Sequence, residues 1–155
     1  MRQHWLELRI PPPIVGVSFG AGMWALAQYL PVLAFPDLAR FASAAVIAIA
    51  GVGVALGGVV SFRLAKTTVN PLKPETSASL VTAGVYSFTR NPMYLGMALV
   101  LVAWAVFLSS HWSLVGPLLF GLYITRFQIL PEERVLDKLF GASFADYKRK
   151  VRRWL

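Results

Sequence analysis

The chain has 155 residues, 57% hydrophobic and 14% charged, with a formal net charge of +8. A composition this apolar belongs to polytopic membrane proteins, and the basic residues flank apolar runs, so their partner is the anionic bilayer surface and not nucleic acid. The absence of Cys excludes disulfides, thiol nucleophiles and Cys-ligated zinc, and the isolated His4 and His111 do not build a metal site, so no metal is expected.

In chain order, the first uncharged run lies between Arg9 and Asp37 and the second between Arg40 and Arg63. Each exceeds the roughly 20 residues that a spanning helix needs. Between Arg90 and Arg126 there is again no charge. At ~1.5 Å per residue that interval is too long for one span and short for two. Ser109-Ser110-His111 in its middle reads as a tight turn between antiparallel helices. The expected spans are therefore 13–35, 39–62, 93–109 and 112–130. Arg2 and Arg9, then Arg63, Lys66, Lys73 and Arg90, then Arg126 onward all fall on one side, and only Arg40 on the other. This asymmetry puts both termini and the middle loop in the cytoplasm. A bacterial-type inner membrane is the expected location. Gly16-x-x-x-Gly20 and Gly53-x-x-x-Gly57 have the small-residue spacing of closely packed membrane helices, and glycine is also simply frequent in such helices.

The loop between Arg63 and Asn91 is longer than an idle connection. It carries Thr67, Thr68, Asn70-Pro71 and Pro74, then Leu80 and Val81, which either anchor at the interface or wall a ligand pocket. Gly84 permits a turn that a Cβ would obstruct. Pro92 suits the first turn of a helix and biases Asn91 toward extended backbone. The third span thus starts near Pro92, with unpaired, electropositive N–H groups. Taken singly, Arg90 reads as a snorkelling anchor and Tyr86 and Tyr94 as an aromatic belt.

Beyond the fourth span, a helix opening at Pro131 places Glu132, Val135, Leu136, Leu139 and Phe140 on one stripe. Glu132 is then a carboxylate on an apolar face, which requires a buried partner. Glu133, Arg134, Asp137 and Lys138 occupy the other face, where Glu133 reads as a solvated acid. Gly141 ends this helix and Ser143 caps the next, in which Phe144, Tyr147, Val151 and Trp154 oppose a basic face suited to an anionic membrane.

The two polar islands, Gly84-Val85-Tyr86-Ser87-Phe88-Thr89-Arg90-Asn91-Pro92-Met93-Tyr94-Leu95-Gly96 and Pro131-Glu132-Glu133-Arg134, together resemble the isoprenylcysteine carboxyl methyltransferase and phospholipid methyltransferase superfamily. Those membrane enzymes carry Arg-His-Pro-x-Tyr-x-Gly, then a Glu-Glu pair, Phe-Gly and a Tyr-rich basic tail. The resemblance runs from about Thr67 to the C-terminus. It implies an all-α integral membrane protein of about four transmembrane helices, with a cytoplasmic cofactor-binding loop and short C-terminal helices. The single membrane domain, 1–155, divides into two N-terminal spans (1–66) and a family-like catalytic part (67–155). The resemblance also implies S-adenosylmethionine as cofactor, held by Ala78, Ser79, Leu80, Val81, Tyr86, Asn91, Pro92, Met93, Tyr94 and Glu132. Gly84 and Arg90 match the motif too and complete the cofactor-binding set, in a structural capacity.

Two positions depart from the family pattern. Asn91 replaces the usual His and cannot gain charge near neutral pH, which removes proton shuttling there. Gln128 replaces an Arg that the prenylcysteine enzymes use on the substrate carboxylate. Gln128 and the nearby Arg126 are accordingly the substrate-side candidates, and the acceptor is a carboxylate or amine on a lipid-like molecule. Two other classes share parts of this pattern. An NADPH-dependent reductase of the sterol reductase type has a related C-terminal fold but needs further helices and polar motifs. A non-enzymatic scaffold would use the polar islands only to anchor helix ends.

Overall fold

The computed structural model describes residues 4–31, 33–34, 36–65, 75 and 79–155. Among these, all regular structure is helical. Helix α1 spans Pro12–Ala27, α2 Asp37–Leu64 and α3 Pro92–Phe107. Helix α4, Val115–Ile124, continues through a π-turn, Thr125–Ile129, into α5, Leu130–Lys150. Short 3-10 turns at Gly84–Ser87 and His111–Leu114 precede α3 and α4.

Helices thus stand at each of the four expected places. Among the described residues two helical stretches are long and apolar enough to cross a bilayer, α2 and the run His111–Lys150. Helices α1 and α3 have 16 residues each, about 24 Å at the α-helical rise. The first helix stops at Ala27 instead of running to residue 35, because Pro31 and Pro36 deny N–H donors to the following stretch. That stretch docks on the far end of α3, where the Leu33 N–H donates to the Ser109 carbonyl at 2.7 Å. Ser109 itself takes φ +51° to turn the chain between α3 and α4, as the Ser-Ser-His triplet predicts.

Helix α3 is the centre of the bundle. It lies against α2 so closely that a Cβ on Gly51 would sit 2.8 Å from the Gly96 carbonyl oxygen. A Cβ on Gly96 would collide with the Gly51 carbonyl and lie 2.6 Å from the Ala55 Cβ. Gly58 faces Pro92 and Met93, and Gly57 faces Val85. The spacing that matters on α2 is therefore Gly51 to Gly58, and Gly53 meets nothing within 4 Å. On the other side of α3, the Trp104 indole N–H donates to the Gly20 carbonyl of α1 at 3.0 Å. Val15, Met23, Tyr94, Leu101, Ala105, Phe120, Ile124 and Ile129 form the core between α1, α3 and α4. The outward face of α2, with Val46, Ile49, Leu56 and Val60, stays exposed, as expected of a surface that meets hydrocarbon.

Helix α5 breaks at Gly141, whose φ of +47° fits the expected helix end. Its second half closes on a separate core of Phe144, Tyr147 and Val151, joined by Leu80, Leu136 and Phe140. Leu139 from the expected apolar stripe is exposed instead. The last helix also ends earlier than its spacing suggests. Val151 is extended, and Trp154 leaves the helical face to join the α3–α4 core, its indole N–H donating to Thr125 Oγ1 at 3.1 Å.

Candidate active site

The start of α3, the first turn of α5 and the extended C-terminal residues meet at one place. Pro92 sets that start, so Arg90 lies ahead of the helix and has no intrahelical acceptor for its N–H. Its backbone N–H donates to the Arg152 carbonyl at 3.0 Å, and its guanidinium donates to the Val151 carbonyl at 2.7 Å and the Lys148 carbonyl at 3.3 Å. The Asn91 side-chain amide donates to the Arg153 carbonyl at 2.9 Å, and the Thr89 hydroxyl donates to the same oxygen at 3.3 Å. Tyr147 donates its hydroxyl to the Tyr86 carbonyl at 2.6 Å. The segment before α3 is thereby stitched to the end of the chain.

The two neighbouring carboxylates of α5 have opposite surroundings. Tyr94 donates its hydroxyl to Glu132 Oε1 at 2.5 Å, which supplies the buried partner that an acid on the apolar stripe requires. Among the described residues no cation pairs with Glu132. Glu133 accepts from Arg90 Nη2 at 2.7 Å and from Arg153 Nη2 at 2.7 Å and Nε at 3.1 Å. Its side chain is only 12% exposed and that of Arg90 10%. The expectation of a solvated Glu133 is therefore corrected. Adjacent helical positions do point about 100° apart, but the face opposite Glu132 is covered by the returning C-terminal segment. The Glu133 hydrogen bond raises the Arg153 pKa further above its ordinary value, against a smaller effect of burial. Burial, followed by the Tyr147 phenol and the Glu132 carboxylate, pushes the Tyr86 phenol upward.

The other expected site residues fall as follows. Gly84 adopts φ +64°, the conformation for which glycine is suited. Met93 packs on Gly58 of α2. Ser79 donates its hydroxyl to the Ala65 carbonyl at 3.2 Å, Leu80 packs against the core of Phe144, Tyr147 and Val151, and Val81 is half-buried. Ala78 lies outside the described residues, as do Thr67, Thr68, Asn70, Pro71 and Pro74. Arg126 and Gln128 are turned to another partner, the N-terminal segment. Gln128 is fully buried and donates from Nε2 to the Ile10 carbonyl at 2.7 Å. Arg126 donates to Glu7 Oε1 at 2.9 Å, and Arg134 pairs with the other Glu7 oxygen. Pro131 explains why the segment docks there. The π-turn precedes it, and the Phe127 carbonyl, which a non-proline residue 131 would engage, accepts the Leu8 N–H at 3.0 Å instead. Burial would raise the Glu7 carboxyl, but hydrogen bonds from Arg126 and Arg134 hold it below its ordinary value. The Glu7 clamp and the Arg153–Glu133 pair are absent from the sequence expectations. The one visible sign of the clamp was a single acid between Arg2 and Arg9.

Tyrosines, a buried acid and an ion triad thus gather at the helix ends of an apolar helical bundle. Residues 38–143 match the family model described as phospholipid methyltransferase, and the chain belongs to that family. It is 35% identical over 75 residues to the protein-S-isoprenylcysteine O-methyltransferase of Schizosaccharomyces pombe, covering 46% of this chain and 30% of that protein. The enzyme of the same name from Xenopus laevis is 37% identical over 75 residues, 48% of this chain and 26% of that one. The chain thus spans about a third or less of those methyltransferases. An uncharacterized protein of Haemophilus influenzae is 44% identical over 63 residues, its whole length and 41% of this chain. No solved structure matches. The named relatives are methyltransferases, and membership of the family supports an enzyme here.

Proposed function

We propose that the protein transfers a methyl group from S-adenosylmethionine to a carboxylate or amine of a lipid-like molecule, at the cytoplasmic face of a bacterial-type inner membrane. The observation that carries this reading is the asymmetry of the acids. Glu133 has two guanidinium partners, whereas Glu132, buried beside it, has one phenol. A buried carboxylate lacking a cation suits the ammonium or hydroxyl groups of that cofactor. When bound, the cofactor supplies an electrophilic methyl on a sulfonium, and no metal is required.

In this reading, Glu132, Tyr94 and Tyr86 hold the polar groups of the cofactor. Ala78, Ser79, Leu80, Val81, Asn91, Pro92 and Met93 line its site. Gly84 and Arg90 set the backbone, the latter by tethering the C-terminal segment. Arg126 and Gln128 bound the substrate side by holding residues 4–10 in place. The apolar part of an acceptor has a place to lie. A cavity of about 1060 Å³ runs between α1 and α2 over α3, lined by Gly16, Gly20, Ala48, Val52 and Trp104, and its floor begins at Gly96, two residues past Tyr94. The enzyme's contribution to an in-line displacement is alignment in a water-poor site. With four spans, both termini and the middle loop stand in the cytoplasm.

Calorimetry on the purified protein in nanodiscs tests this reading. S-adenosylhomocysteine is expected to bind without added metal. No binding up to millimolar ligand would sink the proposal, and binding of NADPH in its place would assign the site to a reductase.

A further inference from the structure

Beyond the α5 acids, the molecule has a second charged cluster, built on the π-turn. In an unbroken α-helix, residues eight apart point about 80° away from each other. The π-turn absorbs one extra residue between Arg126 and Arg134, so they stand as if seven apart, about 20° out of line. Glu7 fixes the pair from outside. Its side chain is 3% exposed and takes one guanidinium on each oxygen. Arg126 and Arg134 remain 48% and 40% exposed. Each spends a single nitrogen on Glu7 and presents the rest of its fork outward. Two cations against one acid leave one positive charge, held rigid and facing out.

The surface beneath this charge is apolar. Leu119 and Leu122, exposed at 47% and 61%, precede Arg126 by two turns and one turn on the same face of the helix, and Leu118, 64% exposed, lies beside them. Trp5, 69% exposed, stacks on its neighbour His4, whose ring lies at a tilt against Phe127, the residue after Arg126. Arg126 is also the first charge after the uncharged interval. An apolar stripe topped by a paired guanidinium and flanked by an indole has the shape of a lipid at the hydrocarbon–headgroup boundary.

We infer that Arg126 and Arg134, aligned by the π-turn and braced by Glu7, bind the phosphate of a membrane lipid whose chains lie along Leu119 and Leu122. One phosphodiester charge matches the one uncompensated cation, and Arg forks suit phosphate oxygens. The inference stands without methyl transfer.

Native mass spectrometry of the full chain in detergent, with dioctanoyl phosphatidylglycerol as probe, tests the site. The wild-type protein is expected to retain the lipid, and R126Q/R134Q to bind it at least tenfold more weakly. R149Q/K150Q, which removes the same charge from the C-terminal basic face, should stay within twofold. Equal loss in both pairs would overturn the site in favour of general attraction. Equal binding of dioctanoylglycerol would show apolar contact alone, and competition by inorganic phosphate at the lipid's own concentration would make free phosphate the ligand. If circular dichroism shows R126Q/R134Q unfolded, R126K/R134K keeps the charges and loses the forks. At least threefold weaker binding is expected of it, and undiminished binding overturns the inference.

Discussion

Glu132→Gln and Glu133→Gln are the same chemical change at adjacent positions, yet the structure predicts effects on different observables. Glu133 holds Arg90 and Arg153 through three hydrogen bonds, and Arg90 is almost buried. Removing one partner of a buried ion pair costs about 3–5 kcal/mol, because the other charge is left uncompensated. Arg153 is 35% exposed, and water offsets part of its loss, so the lower end, about 3 kcal/mol, applies. For a chain of this size that lowers Tm by roughly 6–12 °C. Glu132→Gln leaves an amide oxygen that still accepts the Tyr94 hydroxyl, so stability should stay within about 1 kcal/mol of wild type. Its loss falls on the ligand instead. A charge-assisted hydrogen bond is worth about 1.5–3 kcal/mol, which is tenfold or more in Kd. Differential scanning fluorimetry gives the first quantity, and calorimetry with S-adenosylhomocysteine, well below both melting points, the second. If Glu132→Gln melts as early as Glu133→Gln, or Glu133→Gln keeps the wild-type Tm, the assignment of the two acids is wrong.

Two further outcomes follow from packing and charge. Gly96→Ala should destabilise by about 1–3 kcal/mol through overpacking against α2, while Gly53→Ala, with nothing within 4 Å, should be neutral or stabilising; melting of the two variants side by side checks this. Because Glu7 titrates below its ordinary value in the folded protein, its contribution is present above the unfolded pKa of 4.5 and disappears as pH falls through the lowered folded value. Wild type should therefore melt above Glu7→Gln at pH 6, and the gap should close in acid below about pH 4.5; a gap independent of pH would contradict the clamp.

The parts legible in the sequence were those set by local rules. Uncharged runs located the helices, Pro92 and Gly141 marked a helix start and a helix end, and helical angle put Glu132 on the buried stripe with a partner. What stayed hidden depends on contacts across the chain. Nothing local to Glu133 signals that Arg153 returns to it, since an extended backbone from Val151 onward breaks the very periodicity that predicted a longer helix. Likewise, Arg126 and Gln128 lie near the acids in sequence, but the π-turn rotates them toward residues 4–10. A spacing argument that assumes 3.6 residues per turn fails across a proline whose freed carbonyl finds another donor.

Asn91 follows from the same logic. Its amide is committed to the Arg153 carbonyl, and Arg153 is committed to Glu133, so the residue in the family's histidine position belongs to the ion triad as much as to any ligand. An amide is sufficient for that task, because a neutral donor to a backbone carbonyl needs no titratable proton. The charged work at this end of α3 is done by Arg90, which touches the Lys148 and Val151 carbonyls and Glu133 at once. With its cations spent on Glu133, the cluster leaves Glu132 as the acid free to meet a positive group. The ordering of the two carboxylates thus depends on where the C-terminal segment folds.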